Sequence, residues 1–307
     1  MKNAIKQAKQ YSLKAFRHIL TNFKIFRLLN DKTYLRILYY LSFGKPLELN
    51  SPKTFNEKLQ WLKLYDRNPK YTELADKNTV KSYIKKSIGK EYVIPTIKTY
   101  KKFNDINFNE LPNQFVIKCT HDSGGVIVCK DKTTFNIKAA RKKINSHLKK
   151  NYFYSLREWP YKNIKPKIII EQYMEDQNDG ELRDYKFFTF NGDCKLMFIA
   201  SNRQGKTETY FDFYDDNFKH LSFTNGHPNA PTNPHRPKQF QKMQLLAEKI
   251  SKDLNLTHAR IDFYEANSKI YFGEITFYHW SGIVAFDPPK WDKKIGEWIT
   301  LPEKIGD

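Results

Sequence analysis

With 307 residues, 40% of them hydrophobic and 15% aromatic, the chain has apolar mass for a large folded core, which excludes a disordered protein. Lys and Arg number 53 against 33 Asp and Glu, and the net charge of +20 favours an anionic partner: nucleic acid, a lipid surface, or an acidic small molecule or polymer. Cys119, Cys129 and Cys194 match no zinc or CxxC spacing and read as buried small hydrophobes of a reducing compartment.

In chain order, residues 1–45 read as helices, with Ile5, Phe16, Leu20, Phe23, Phe26, Leu28, Leu29, Leu35 and Leu38 recurring mostly at three- and four-residue steps. That segment holds ten Lys/Arg and one acid, Asp31. It is either a basic amphipathic helix for an anionic membrane surface or a helix packed on its own domain with a solvated basic face. No run of about 18 apolar residues is present, so no transmembrane helix is expected. The start MKNAIKQAKQYSLKAF lacks the apolar core of a signal peptide, and a cytoplasmic protein is expected. SPKTFNEKLQWLKLYD (51–66) predicts a helix capped by Ser51 or Thr54, with Glu57 at capping-box spacing from Thr54. ADKNTVKSYIKKSIG (75–89) predicts a second, ended by Gly89. YVIPTIKTY, QFVIKCT, GGVIVCK, KIIIEQYM, RDYKFFTFNG, CKLMFIAS and ETYFDFY predict strands. Helices are expected over TTFNIKAARKKINSHLKKNYF and 238–254, hairpins at Asn191-Gly192 and Asn267-Ser268, and an irregular tail with a short helix. The fold class is therefore α+β, with mostly antiparallel strands.

Three stretches carry chemistry. In ARIDFYEANSKIYFGEIT (259–276), Asp262 and Glu274 sit on strands joined by a tight turn, near the same level. Two neighbouring carboxylates repel unless a divalent cation such as magnesium or a basic partner such as Arg260 joins them, and spacing leaves both open. In VIKCTHDSGGVIV (116–128), Lys118 lies between apolar Ile117 and Cys119, where a lysine calls for an anion, and Ser123-Gly124-Gly125 can turn backbone N–H groups onto phosphate. In KIIIEQYMEDQNDGELRDYKFF (167–188), Glu171 ends a buried strand, Gln172 to Met174 form an extended segment able to hydrogen-bond a base edge, and Arg183 and Lys186 head the next strand.

Together SPKTFNEKLQW, LADK, FVIKCTHDSGG, IIIEQYM, RDYKFF and ARIDFY…FGEIT, in this order, resemble the TupA-like ATP-grasp family associated with bacterial surface polysaccharide and teichuronopeptide synthesis. The resemblance implies an ATP-grasp fold: a helical N-terminal region (1–90), a lid subdomain (91–172) and a C-terminal subdomain carrying the metal site (173–307). It implies ATP and Mg²⁺ as cofactors. Lys77 and Lys118 would contact nucleotide. His121, Ser123, Gly124 and Gly125 would lie in the lid over the phosphates. Glu171, Gln172, Tyr173 and Met174 would form the adenine hinge, and Asp179 or Glu181 would take the ribose. Lys186 would meet a phosphate or acyl phosphate, Arg260 the developing oxyanion, and Asp262, Glu274 and Thr276 the metal. Thr276 departs from the family pattern, in which an Asn gives a further metal ligand.

The implied reaction is ATP-dependent carboxylate–amine ligation through an acyl phosphate, attaching an amino acid or amine to a uronic-acid-type sugar in capsule or O-antigen synthesis. Expected partners are therefore an acidic sugar or glycan and an amine, with peripheral contact at the inner membrane face through the basic N-terminus. Two other readings are a glycosyltransferase of the same pathway, for which Asp212, Asp215 and Asp216 are the nearest approach to a DxD, and a basic nucleic-acid-binding protein. The aromatics alternate in strand patterns and read as core, so no nucleic acid is expected.

Overall fold

In the computed structural model, residues 2–176, 182–203 and 208–304 are described, the side chains from residue 11 onward. The chain opens with α1 (Lys2–Asn22) and α2 (Asp31–Phe43). Asn30 caps α2 by accepting from Thr33 N, and Gly44, at φ +69°, ends it. In α3 (Phe55–Tyr65) the full capping box forms: the Thr54 hydroxyl accepts from Glu57 N while the Glu57 carboxylate accepts from Thr54 N.

Of the helix expected over 75–89 only α5 (Val80–Ser87) forms, and a separate short helix, α4 (Lys70–Ala75), ends where it was expected to begin. Asp76 separates them: its carboxylate accepts from the amides of Asn78 and Thr79, a local turn that competes with helix. Lys77 therefore sits in a turn, not on a helix.

Two antiparallel sheets follow. The smaller has the order β1-β4-β2-β3 and comprises β1 (Thr96–Tyr100), β2 (Phe115–Cys119), β3 (Val126–Cys129) and β4 (Ile168–Gln172). Together with α6 (Ile137–Leu148) it encloses a core built on Phe115, Ile117, Ile144, Ile168 and Ile170. A short helix, α7 (Phe153–Leu156), leads on from α6 toward β4.

The larger sheet contains β5 (Asp184–Phe190), β6 (Asp193–Ser201), β7 (Tyr210–Asp215) and β8 (His220–Leu221). After β9 (Thr224–Asn225) and α8 (Phe240–Asp253) come β10 (His258–Ala266) and β11 (Lys269–Thr276), and the sheet order is β11-β10-β5-β6-β7-β8. A two-residue strand, β12 (Phe286–Asp287), pairs with β9 before the tail helix α9 (Lys290–Glu297). Both expected hairpins form, with Asn191, Gly192, Asn267 and Ser268 all at positive φ, the primed-turn geometry that matches strand twist.

The core of the larger sheet is continuous with α2 and α3: Tyr34, Leu38, Phe55 and Leu59 belong to the same cluster as Phe187, Phe198 and Ile261. The N-terminal helices thus fold onto the C-terminal sheet. All three cysteines are free and buried, and burial pushes the Cys119 thiol up to about 12.

Candidate active site

Asp262 and Glu274 are direct cross-strand partners, and a bulge makes them so. Counting out from the Asn267-Ser268 turn, regular pairing would set Asp262 against Gly273 and send Glu274 to the opposite face. The register instead shifts by one between Asp262 and Phe263, so Phe263 pairs with Phe272 and Asp262 with Glu274. Gly273 is the extra residue. A Cβ there would come within 3.1 Å of the Asp262 carbonyl oxygen and 3.2 Å of the Tyr264 ring. A glycine inside a strand is the one sequence signal for this bulge.

Arg260, on the same strand face, fastens both acids. Its Nε donates to Asp262 Oδ1 at 2.7 Å and its Nη2 to Asp262 Oδ2 at 2.8 Å and Glu274 Oε1 at 3.1 Å. Nη1 donates to His279 Nδ1 at 2.9 Å, and His279 Nε2 donates to Asn225 Oδ1 at 2.9 Å. Lys186, paired across the ladder from Asp262, donates to its carboxylate and lies 3.6 Å from Asp184, which pairs with Arg203. Alternating charge thus runs across the sheet from Arg203 through Asp184, Lys186, Asp262 and Arg260 to Glu274. Burial pushes Glu274 upward, but Lys77, Arg260 and Lys186 outweigh it and hold the carboxyl at about 2. Burial lowers the Lys186 ammonium, against the pull of Asp262. The Thr276 hydroxyl accepts from Arg260 Nη2 and donates to Glu274 Oε1, both at 3.0 Å, so it braces Glu274.

A cavity of about 590 Å³, in the usual range for a small-molecule site, opens between the two sheets with Asp262, Glu274 and Lys186 on one wall. On the facing wall, the anion that Lys118 meets belongs to the chain itself. Lys118 Nζ forms an ion pair with Glu171 Oε2 at 2.6 Å, and Glu171 also pairs with Lys81. Burial raises the Glu171 carboxyl, but Lys118 and then Lys81 outweigh it and keep it below the ordinary range. Lys81 itself is lowered by burial, partly offset by Glu171. Glu171 is thus a bridge between two lysines, and the residues that follow it, Gln172 at the end of β4 and then Tyr173 and Met174, line the cavity. Val80, Val93, Val116, Leu182 and Phe272 supply apolar wall.

At the loop, Lys77 Nζ donates to the Asp122 carbonyl and Lys77 N to the Thr120 carbonyl at 3.0 Å, tying that turn to the end of β2. Asp122, Ser123 and Gly124 line the cavity. His121 does not: it is buried, with Nε2 3.1 Å from the Lys150 carbonyl. Gly125 is a packing position, where a Cβ would fall 2.7 Å from Asp122 Oδ1 and 2.9 Å from Cys119 Cβ. Asp122 pairs with His147 on α6, which anchors the loop from behind.

The structure brings Lys77, Lys118, Ser123, Gly124, Glu171 to Met174, Lys186, Asp262 and Glu274 to one cavity, with Arg260 and Thr276 bonded to Glu274. Asp179 and Glu181 lie outside the described residues. Lys81, Asp122, Lys143 and Arg203 on the wall were not singled out from sequence. Only Lys81 had a usable signal, lying four positions beyond Lys77 in the helix expected from sequence. Asp212 is buried, accepts from Ala230 N at 3.2 Å and faces His220 at 3.4 Å, away from this cavity.

Two hard carboxylate donors level on one sheet face fit a magnesium-sized cation, which one or two carboxylates plus phosphates commonly hold. Among the described residues, no group of three or more His, Cys, Asp or Glu is placed to hold a metal.

No curated protein matches the chain. Solved structures similar to it in part include D-alanine–D-alanine ligase from Bacillus anthracis complexed with ATP (17% identity, TM-score 0.39, covering 67% of this chain and 55% of that one). D-alanine–D-alanine ligase from Helicobacter pylori is similar at 16% identity and TM-score 0.40, covering 76% and 60%. The ATP-grasp ligase PsnB with a phosphomimetic precursor variant, Mg and ADP is similar at 7% identity and TM-score 0.42, covering 72% and 57%. The chain thus spans under two thirds of the length of these structures. The family model for TupA-like ATP-grasp proteins matches residues 57–300, from the first turn of α3 to just past α9, and the chain belongs to the TupA-like ATP-grasp family.

Proposed function

We propose that this protein is an ATP-dependent carboxylate–amine ligase that joins an amino acid or amine to an acidic sugar of the uronic-acid type during surface-polysaccharide synthesis. The observation that carries the reading is convergence: Lys77, Lys118 and Lys186, from three separate elements, meet the Asp262–Glu274 pair around one cavity. Phosphoryl transfer needs alignment and charge neutralisation more than a covalent side chain, and lysines with paired carboxylates provide both.

In this reading Gln172 to Met174 and the apolar wall take the base. Lys77, Lys118 and the 122–124 loop receive the phosphates, and Lys186 faces the transferred phosphoryl group. Asp262 and Glu274 would hold Mg²⁺, which neutralises phosphate charge, while Arg260 and Thr276 keep the two acids at their spacing. The acceptor carboxylate oxygen attacks the γ-phosphorus and ADP leaves. The amine then attacks the acyl carbon, phosphate leaves with the C–O bond electrons, and the amine loses a proton. The net charge of +20 suits an acidic sugar as acceptor.

A thermal-shift comparison with AMP-PNP and Mg²⁺ tests the nucleotide site. Stabilisation of the wild type that is lost in Asp262→Asn supports it, and no shift in either protein overturns it. Phosphate release from ATP over a panel of uronates and amines tests the ligation, and a flat response to every pair, with nucleotide binding intact, sinks that part alone.

A further inference from the structure

Among the described residues, large apolar side chains exposed on the surface are concentrated in the N-terminal part of the chain. Of the thirteen such residues among those described, eight lie between Tyr11 and Tyr40. Scattered exposed hydrophobics are ordinary, whereas a cluster of them marks a contact surface. Phe16, Ile19 and Phe23 share one side of α1 and its exit, and Phe16 is 60% exposed. In the 3₁₀ turn that follows (Lys24–Leu28), Ile25 is 64% and Leu28 84% exposed.

This turn is not a loosely attached end. Arg157, 1% exposed, donates from Nη2 to the carbonyls of Phe26, Arg27 and Leu29 at 3.2, 3.3 and 3.1 Å. It also lies 3.2 Å from Asp31 and stacks over Tyr34 at 4.2 Å. A buried arginine therefore fastens the turn to the body while Ile25 and Leu28 are held outward. On the inner side, Leu20 is buried and the Tyr34 hydroxyl donates to its carbonyl at 3.4 Å.

We propose that the outer face of residues 11–40 docks on an anionic lipid bilayer. Charge selects this occupant. The sequence from Tyr11 to Asn30 contains Lys14, Arg17, Lys24 and Arg27 and no acid, and Lys24 and Arg27 flank the protruding Ile25. Apolar side chains that enter the headgroup boundary, beside lysines and arginines that meet anionic headgroups, are the two components of interfacial binding. Among the described residues no helix is long and apolar enough to cross a membrane, so the contact is one of lying on the surface. This inference goes beyond the ligase reading and does not depend on it.

The test is co-sedimentation of the full chain with vesicles of phosphatidylcholine alone and of phosphatidylcholine mixed with phosphatidylglycerol, at low and high salt. The wild type is expected to pellet with the anionic vesicles at low salt and to be released by high salt. Phe23→Ser/Ile25→Ser/Leu28→Ser, all exposed positions, should weaken binding about a hundredfold or more. Lys14→Gln/Lys24→Gln/Arg27→Gln, which leaves the apolar face intact, should weaken it at least about tenfold. Circular-dichroism melts matching the wild type confirm that both variants fold. Equal binding to neutral and anionic vesicles overturns the proposal, as does a wild type that binds neither. So does light scattering that shows a dimer abolished by the serine variant without vesicle binding, since the face would then belong to a second copy of the chain.

Discussion

Glu171→Gln is the sharpest test of how the cavity wall is built. Glu171 is buried and bridges Lys81 and Lys118, both largely removed from water. The amide keeps the shape and removes the charge that two half-buried ammonium groups share. Removing one partner of a buried ion pair costs about 3–5 kcal/mol, because the charge left behind stays uncompensated. At about 2.1 cal/mol/K of unfolding entropy per residue, a chain of 307 residues loses roughly 5–8 °C of Tm for that penalty. The assay is urea denaturation at neutral pH with a parallel thermal melt. The pH dependence adds a second readout. A carboxyl whose folded value is depressed contributes stability above its unfolded value of 4.5, lost as pH falls through the folded value. The wild type should therefore lose stability on acidification below that point more steeply than the variant. A variant within about 0.5 kcal/mol of the wild type, as at an ordinary surface site, would refute the bridging role.

Lys63→Met should destabilise the protein by about 2–4 kcal/mol in urea unfolding, since the fully buried ammonium donates to the carbonyls of Leu156 and Ser281 at 2.9 and 2.8 Å. Ser281 follows Trp280 in the left-handed region (φ 55° and 48°), so the same variant should loosen a strained turn that Gln60 also grips, read as faster amide exchange at 280–283. Burial lowers His258 to about 3, against its hydrogen bond to the Thr189 carbonyl. Between its unfolded 6.5 and that value, the unfolded chain binds a proton that the fold does not, so stability falls as pH drops across that window. His258→Phe, in a pocket already lined by Phe55, Phe188 and Phe190, should flatten the slope between pH 6.5 and 4.5 by up to about 1.4 kcal/mol per pH unit, and an unchanged slope would count against a neutral buried imidazole.

Local chemistry was legible in the sequence wherever neighbours along the chain decide it. The Thr54–Glu57 capping box and the two hairpin turns depend on residues a few positions apart, and the structure forms each as read, with a strand inside each strand run. Whatever depends on which side chain meets which across the fold was decided only by tertiary structure. Lys118 needs an anion by sequence, but that Glu171 supplies it, with Lys81 as the second cation, follows from β2 and β4 being neighbours and from Lys81 of α5 reaching Glu171. Residues 75–79 carried a helical pattern, and the Asp76 carboxylate took their amides into a turn. The position of His121 against Lys150 depends on α6, which no local pattern near the loop reveals. The acidic pair shows the division most clearly. Sequence supplied two carboxylates and a turn between them, with magnesium and an arginine partner both open. The single extra residue at Gly273 turned Glu274 to the face of Asp262, because side chains alternate with period two and a shift of one reverses every one beyond it.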